Sequence, residues 1–382
     1  MQRRIVAIDW MRGLVMVLMA IDHASVVFNG GRIATDSAYL LDPASGNPAH
    51  VPGAILPTAQ FLTRWITHLC APTFLFLSGT SLALSAAHRR AAGDSESAID
   101  RHLFIRALVI LALEVLLSVM AWQGVLILQV LYAIGAGLLL MIPLRRLDNR
   151  LLVCLGLGWL LFGEAITRSL LPIGSSPGLI GSLLLAPVYA APVTVLYPVV
   201  PWLALMALGW TFGGHLLDLP EGPARRQILF RELMTMGILG LVVFSFVRGI
   251  DAYGNLGLHR DDASFVQWLH VSKYPPSIAF AGLELGIAAL ALAGCVRVES
   301  WLRGAPSRYN PLLVFGQTAL FFYVLHIPLL GVLALLSTGG IAQAGLLATY
   351  VGTAAGLMIL YPICWVYRQY KRAHPKGWSQ YL

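Results

Sequence analysis

Residues 5–28 read IVAIDWMRGLVMVLMAIDHASVVF, an apolar run interrupted at Asp9, Arg12, Asp22 and His23. At about 1.5 Å per helical residue such a stretch is ~36 Å long, enough to cross a hydrocarbon core of about 30 Å. It contains Asp9 and Arg12 and lacks the small-residue cleavage site of a signal peptide. We therefore expect a retained first membrane span over 6–28. Its four polar groups are costly in lipid unless paired or functional. Arg12 and His23 are eleven residues apart, which returns them to within about 20° of one helix face, ~16 Å apart along the axis. Asp9 lies one turn before Arg12 and can pair with it.

Comparable apolar runs recur at 61–87, 103–121, 124–143, 151–172, 197–217, 233–250, 276–296, 311–334 and 344–367. The expected fold class is all-α: a polytopic integral membrane protein of about ten transmembrane helices, forming a single domain over 1–382. The 103–121 and 124–143 spans are joined across Trp122 and Gln123. Segments 29–60, 173–196 and 251–275 are rich in Pro, Gly, Asn and Asp without periodicity, and read as long loops on one side.

Composition agrees: 58% of the chain is hydrophobic and 12% charged, against about a quarter charged in soluble domains. The net charge of +8 would suit nucleic acid, but the basic residues lie in short loops between apolar runs, so no nucleic-acid partner is expected. Of the 26 Lys and Arg, 19 fall on the side of the two termini, 6 on the opposite side, and Arg12 within the first span. That asymmetry places both termini in the cytoplasm. Cys70, Cys154, Cys295 and Cys364 each lie in an apolar run and form no CxxC pair, so they read as packing residues; no disulfide framework and no metal site are expected.

The second span, FLTRWITHLCAPTFLFLSGTSLAL (61–84), places Arg64 and His68 four residues apart on one face, just before Pro72. Its Ser78-Gly79-Thr80-Ser81 stretch reads as a close helix contact. The ninth, PLLVFGQTALFFYVLHIPLL (311–330), carries Tyr323 one turn before His326, two residues ahead of Pro328. By the expected boundaries His23, His68 and His326 all lie roughly 8–12 Å below the non-terminal surface. A lone membrane histidine is commonly a bonded packing residue; three at one depth suggest a buried site. Glu114, Glu164 and Glu284 read as structural, Glu164 pairing with Arg168 at i+4. Lys273, Tyr274 and Ser277, in VSKYPPS before the eighth span, are either interfacial anchors or the mouth of that site.

These residues carry a resemblance. Asp9, Arg12-Gly13 and His23 resemble the opening of the transmembrane acyltransferase superfamily, in which a histidine follows the arginine by eleven residues. Ala71 to Gly79, APTFLFLSG, resembles its FFxxSG segment, and Tyr323-Val324-Leu325-His326 its late YxxH motif. Within the superfamily the chain is most similar to the heparan-α-glucosaminide N-acetyltransferase catalytic family and its bacterial members, on Arg64 to Gly79, Tyr197-Pro198 through Pro201-Trp202, and Lys273 to Ser277. The resemblance implies acetyl or other acyl transfer from cytoplasmic acetyl-CoA (or another acyl-CoA) to a sugar or similar acceptor across the membrane. It implies His23 as the catalytic histidine with His68 as orienting, basic or acyl-carrying partner. Asp9, Arg12, Arg64, Tyr323 and His326 are then supporting or donor-binding residues, and Lys273, Tyr274 and Ser277 lie on the acceptor side. The lumenal-loop histidine of the lysosomal enzyme has no match at its spacing; His50 is the nearest loop histidine.

Expected partners are the lipid bilayer of a bacterial inner membrane, acyl-CoA, and a glycan or small-molecule acceptor, with a homodimer left open. The competing reading is a proton-coupled secondary transporter, which intramembrane His, Arg and Glu also fit. It lacks an inverted repeat in the sequence. A scaffold without chemistry leaves the common depth of the histidines unexplained.

Overall fold

The computed structural model describes residues 5–40, 49–121, 125–175, 177–188, 193–302, 306–374 and 377–381. The helices are α1 (Val6–Phe28), α2 (Thr58–Ile66), α3 (Cys70–Ala91), α4 (Glu96–Ala121), α5 (Val130–Leu144), α6 (Asn149–Leu170), α7 (Gly178–Leu184), α8 (Val199–Asp218), α9 (Pro223–Ile250), α10 (Phe265–Leu269), α11 (Ile278–Trp301), α12 (Pro311–Gln317), α13 (Ala319–Thr338) and α14 (Leu346–Ala373). Two three-residue strands, β1 (Leu126–Leu128) and β2 (Val193–Val195), pair in parallel. Among the described residues nine helices are long and apolar enough to cross a membrane, counting α2–α3 as one, with α5 a shorter apolar tenth. The chain is an all-α polytopic membrane protein.

Gln317 donates to Asp9 near the start of α1 and accepts from Arg372 near the end of α14, so the first and last long helices end on one face, here the terminal face. Its contacts bring distant segments together: Ala7 N donates to Glu299 at 2.9 Å and Tyr361 OH to the Tyr309 carbonyl at 2.6 Å. On the far face, Gly30 N donates to the Ala344 carbonyl and Gln60 bonds Asn29.

The expected spans are all helical, with differences at their ends and interiors. The 61–87 run is broken by a 3₁₀ turn at Thr67–Leu69, and 311–334 by Thr318, which ends α12 and starts α13. The 233–250 span extends back to Pro223, because Arg225, Arg226 and Arg231 are polar yet helical and Pro223 supplies the preset φ of a first turn. The 124–143 span begins later: Leu126–Leu128 is extended and α5 has only 15 residues. The Trp122-Gln123 junction lies outside the described residues.

Glycine sets the closest helix contacts, since lipid offers no hydrophobic gain for packing helix on helix and backbone approach must supply it. A Cβ on Gly79 would lie 1.9 Å from the Met206 carbonyl oxygen, and one on Gly209 1.9 Å from that of Phe76, so α3 and α8 touch backbone to backbone. Gly13 and Gly316 do the same for α1 and α12. Thr80 adds a hydroxyl bond to the Gly209 carbonyl at 3.0 Å. Gly79→Val forces these backbones apart, and overpacking of this kind costs about 1–3 kcal/mol or more. We expect a clear fall in the detergent melting temperature. Gly158→Ala, whose Cβ meets nothing within 4 Å, should hold or raise it.

The far-face segments expected to be loops are folded caps. Segment 251–277 is mostly buried and organised by Asn255, whose side chain donates to the carbonyls of Leu258 and His270 and accepts from Ser272 N and Ser277 Oγ. Glu164 accepts from Gly254 N and Leu256 N while pairing with Arg168 at 3.2 Å, and Glu114 accepts from Gln129 N. Both carboxylates thus bond backbone amides of the far face, whereas Glu284 leaves Oε1 unbonded among the described residues. Segment 29–40 inserts Asp36, 4% exposed, under this cap.

Candidate active site

α1 and α13 bring His23 and His326 together. His23 Nδ1 lies 2.6 Å from His326 Nε2, and the ring centroids are 4.8 Å apart. His326 is fully buried, and its Nδ1 faces only carbonyl oxygens, those of Tyr323 at 2.7 Å and Phe322 at 3.2 Å. A carbonyl only accepts, so Nδ1 of His326 carries the proton and its Nε2 offers a lone pair. His23 must then donate from Nδ1. That leaves His23 Nε2 unprotonated and, among the described residues, without a hydrogen-bond partner. His23 is only partly buried, so this lone pair is open to an incoming group. Tyr323 packs edge-on against His23, centroids 6.0 Å apart.

Tyr323 also ends a cavity of about 240 Å³ that runs toward the terminal face past Met16, Leu77, Val130 and Leu320 to Arg12, Ser81, Arg106, Gln317 and Lys371. Arg12 is held there by Asp9 at 3.2 Å and by the Ser81 hydroxyl; Asp9 also accepts from Gln317 at 3.1 Å. Arg12, held by Asp9, thus shapes the terminal end of the cavity and lies about 16 Å from His23 along α1.

A second cluster lies beside the histidine pair. Arg64 donates from Nε and Nη2 to Asp36 Oδ2, at 2.8 and 2.6 Å, and from Nη1 to Asp22 Oδ1 at 2.6 Å; its Nη2 also reaches Tyr274 OH at 3.3 Å. Arg32 adds a bond to Asp22 at 3.2 Å. Burial alone would raise the Asp36 carboxyl, but Arg64 and His68 hold it well below the usual carboxylate range. His68 Nε2 lies 3.3 Å from Asp36 Oδ2, an ion-pair distance, yet neither ring nitrogen is aligned for a hydrogen bond among the described residues. Its ring packs on Phe280.

Of the residues expected from the sequence, His23, His326 and Tyr323 are in mutual contact. His68, Arg64, Lys273 and Tyr274 gather around Asp36 and Asp22. His68 makes no bond to His23, so an orienting role passes to His326. Ser277 caps α11, its hydroxyl accepting from Phe280 N, and faces Asn255. His50 packs on His270 in the cap. Asp36, Asn255 and the role of Asp22 escaped sequence reasoning. The available signal was Arg64: an intramembrane guanidinium needs a carboxylate, and its own helix offers none.

Among the described residues, nine helices long and apolar enough to cross a membrane, with the shorter α5, surround a cavity that is basic at the terminal end and stops at Tyr323, against which His23 and His326 pack; this is the build of a membrane-embedded protein with polar groups held inside its bundle. The family model described as "Heparan-alpha-glucosaminide N-acetyltransferase, catalytic" matches residues 51–250, just over half the chain, and the chain belongs to that family. This is a membrane acetyltransferase family. The matched segment holds Arg64 and His68, while His23 and His326 flank it. No curated protein matches the chain.

Proposed function

We propose that the protein transfers an acetyl or other acyl group from acyl-CoA, entering at the terminal face, to a sugar or similar acceptor arriving from the far face. The observation that carries this reading is the unprotonated Nε2 of His23, without a partner among the described residues and fixed by His326 behind Tyr323, where the cavity stops. His23 Nε2 takes the proton of the acceptor amine or hydroxyl as that atom attacks the thioester carbonyl carbon. The imidazolium so formed keeps its Nδ1–H bond to His326, which stabilises it. It then returns the proton to the departing CoA thiolate. Tyr323 walls the reacting centre from the cavity, so its ring must shift as the thioester arm enters. Excess Lys and Arg at the terminal face supports a cytoplasmic cavity mouth, in the inner membrane of a bacterium, with the whole bundle acting as one domain.

The test is acyl transfer by purified protein in detergent. Mass-detected acetylation of an amino sugar from acetyl-CoA, with no membrane gradient, is expected; a carrier would show neither transfer nor CoA release. Arg12, Arg106 and Lys371 at the cavity mouth would receive the CoA phosphates. Charge-assisted bonds contribute about 1.5–3 kcal/mol each. Arg106→Ala should therefore raise KM for acetyl-CoA by roughly ten- to a hundredfold with kcat near wild type, and an unchanged KM would place the CoA phosphates elsewhere.

A further inference from the structure

A second cavity, of about 880 Å³, lies on the other side of α3 from the first. It separates α6 and α8 from α9 and α11 and reaches α3 at Thr73, Phe76 and Leu77. Along α11 it runs from Leu292 to Ile278, which at 1.5 Å per residue is about 21 Å. That exceeds the depth of one leaflet, about half of a ~30 Å hydrocarbon core. Its sides are open to the bilayer: Leu157 of α6 and Met236 of α9 line it and are 47% and 53% exposed.

The walls are fixed while the space between them is unfilled. A Cβ on Gly240 would lie 2.7 Å from the Gly282 carbonyl oxygen, so α9 and α11 are locked together, and one on Gly156 would lie 2.8 Å from the Leu208 side chain, which does the same for α6 and α8. Polar ties then join the two pairs at both ends. On the far face Tyr253 OH donates to the Leu161 carbonyl at 2.6 Å and Gly254 N to Glu164 at 2.8 Å. Toward the terminal face His215 bonds Glu232 at 2.9 Å. An apolar space of this kind does not hold water, and inside a bilayer the material at hand to fill it is a lipid chain.

The polar lining is sorted by depth. Inside the channel only Thr73, Cys154 and Thr211 carry polar side-chain atoms beside the apolar ones, and Thr211 returns its hydroxyl to the Leu208 carbonyl. The charged groups gather at the terminal end, where α6 begins and α8 finishes: Arg150, Asp218, and His215 with its partner Glu232, beside Asn149. Among the described residues the side chains of Arg150 and Asp218 form no ion pair. One unpaired cation and one unpaired anion at the mouth of an apolar channel complement a headgroup that carries both signs. A phosphodiester accepts from Arg150, and a primary ammonium donates to Asp218; a quaternary ammonium has no N–H to donate, and a purely anionic headgroup would be repelled by Asp218.

We propose that this cleft binds one membrane phospholipid with an ethanolamine headgroup, a chain in the apolar channel, the phosphate at Arg150 and the ammonium at Asp218. The site is independent of the acyl-transfer reading.

Protein stripped of lipid in detergent is mixed with palmitoyl-oleoyl phosphatidylethanolamine, phosphatidylglycerol or phosphatidylcholine. Native mass spectrometry counts the bound lipid and melting temperature is followed beside it. One phosphatidylethanolamine per chain is expected to bind ahead of the other two lipids and to raise the melting temperature. Ala289→Phe and Cys154→Trp fill the cleft from opposite walls, and each should weaken this binding about tenfold or more; having both keeps the test decisive if one fails to fold. Ala354→Phe, on the exposed face of α14, should leave binding unchanged. Arg150→Gln and Asp218→Asn should each weaken it about two- to fivefold, as exposed charge pairs do, and Asp218→Asn should erase the preference over phosphatidylcholine. Arg231→Gln, an exposed cation of α9 outside the cleft, should do neither. Equal binding of the three lipids, or a preference for phosphatidylglycerol, overturns the proposal. So does wild-type binding in a folded cleft-filling variant. A wild-type dimer that binds no lipid and falls apart in Ala289→Phe would show a second copy seated in the cleft and would also overturn it.

Discussion

His23→Ala should lower kcat by about 100- to 10,000-fold, the range that one positioned general base contributes, with little change in melting temperature. The expectation follows from the tautomers. His326 Nδ1 can only donate to the Tyr323 and Phe322 carbonyls, so His326 Nε2 accepts and His23 Nδ1 donates. The lone pair on His23 Nε2 is therefore fixed in place before any substrate arrives. His23 is only partly buried and bonds one ring nitrogen, so alanine leaves no charge stranded. His326→Ala is a different case. It frees His23 to rotate and to take either tautomer, so kcat should fall by less than in His23→Ala. A glutamine at 326, whose side-chain oxygen can accept from Nδ1, should recover part of that loss. Single-turnover acetylation of glucosamine reads all three variants. A His23→Ala protein that transfers at the wild-type rate would sink the base assignment.

The bundle was legible in the sequence because membrane burial writes a strong one-dimensional signal. About twenty apolar residues must follow one another, and each of the ten runs holds a membrane-length or, for 124–143, a shorter apolar helix in the structure. The interruptions were less legible. A break at Thr67–Leu69 or Thr318 leaves hydropathy untouched, and α9 starts early because its arginines are helical while looking like loop. The site was half legible. Asp9, Arg12, His23, Arg64, His68 and His326 violate the apolar rule and so announced themselves. The pairing of His23 with His326 across 303 residues was suggested by common depth alone. Asp36 could not be seen, because a carboxylate in a polar loop looks ordinary until the loop is folded into the bundle. The same holds for Asn255, whose four bonds organise the cap. Lys273 read equally well as an interfacial anchor; its burial, at 2% exposed, speaks against the anchor.

Arg64→Met should be the most destabilising substitution among those considered, because it strands two carboxylates at once. Asp22 would keep only Arg32, at 3.2 Å and partly exposed, and Asp36 would keep only His68. Removing one partner of a buried pair costs about 3–5 kcal/mol, mostly as the penalty of the unpaired charge left behind. We therefore expect a large fall in detergent melting temperature, with loss of activity secondary to it. Lysine should not substitute well, since three donors of the guanidinium reach two carboxylates in one plane and a single ammonium cannot. The mechanism makes a sharper demand. In an Arg64→Met, Asp36→Asn double variant one stranded charge is gone, so part of the stability should return, and a double-mutant cycle should show coupling rather than additivity. The pH dependence has a definite sign. Asp36 is held below the usual carboxylate range in the fold, so its contribution is present above about pH 4 and lost as pH falls below that. Asp36→Asn should flatten the acid side of the stability profile. Additive losses in the cycle, with an unchanged acid limb, would show that Arg64 and Asp36 act independently and that the buried network does not hold the cap above the histidines.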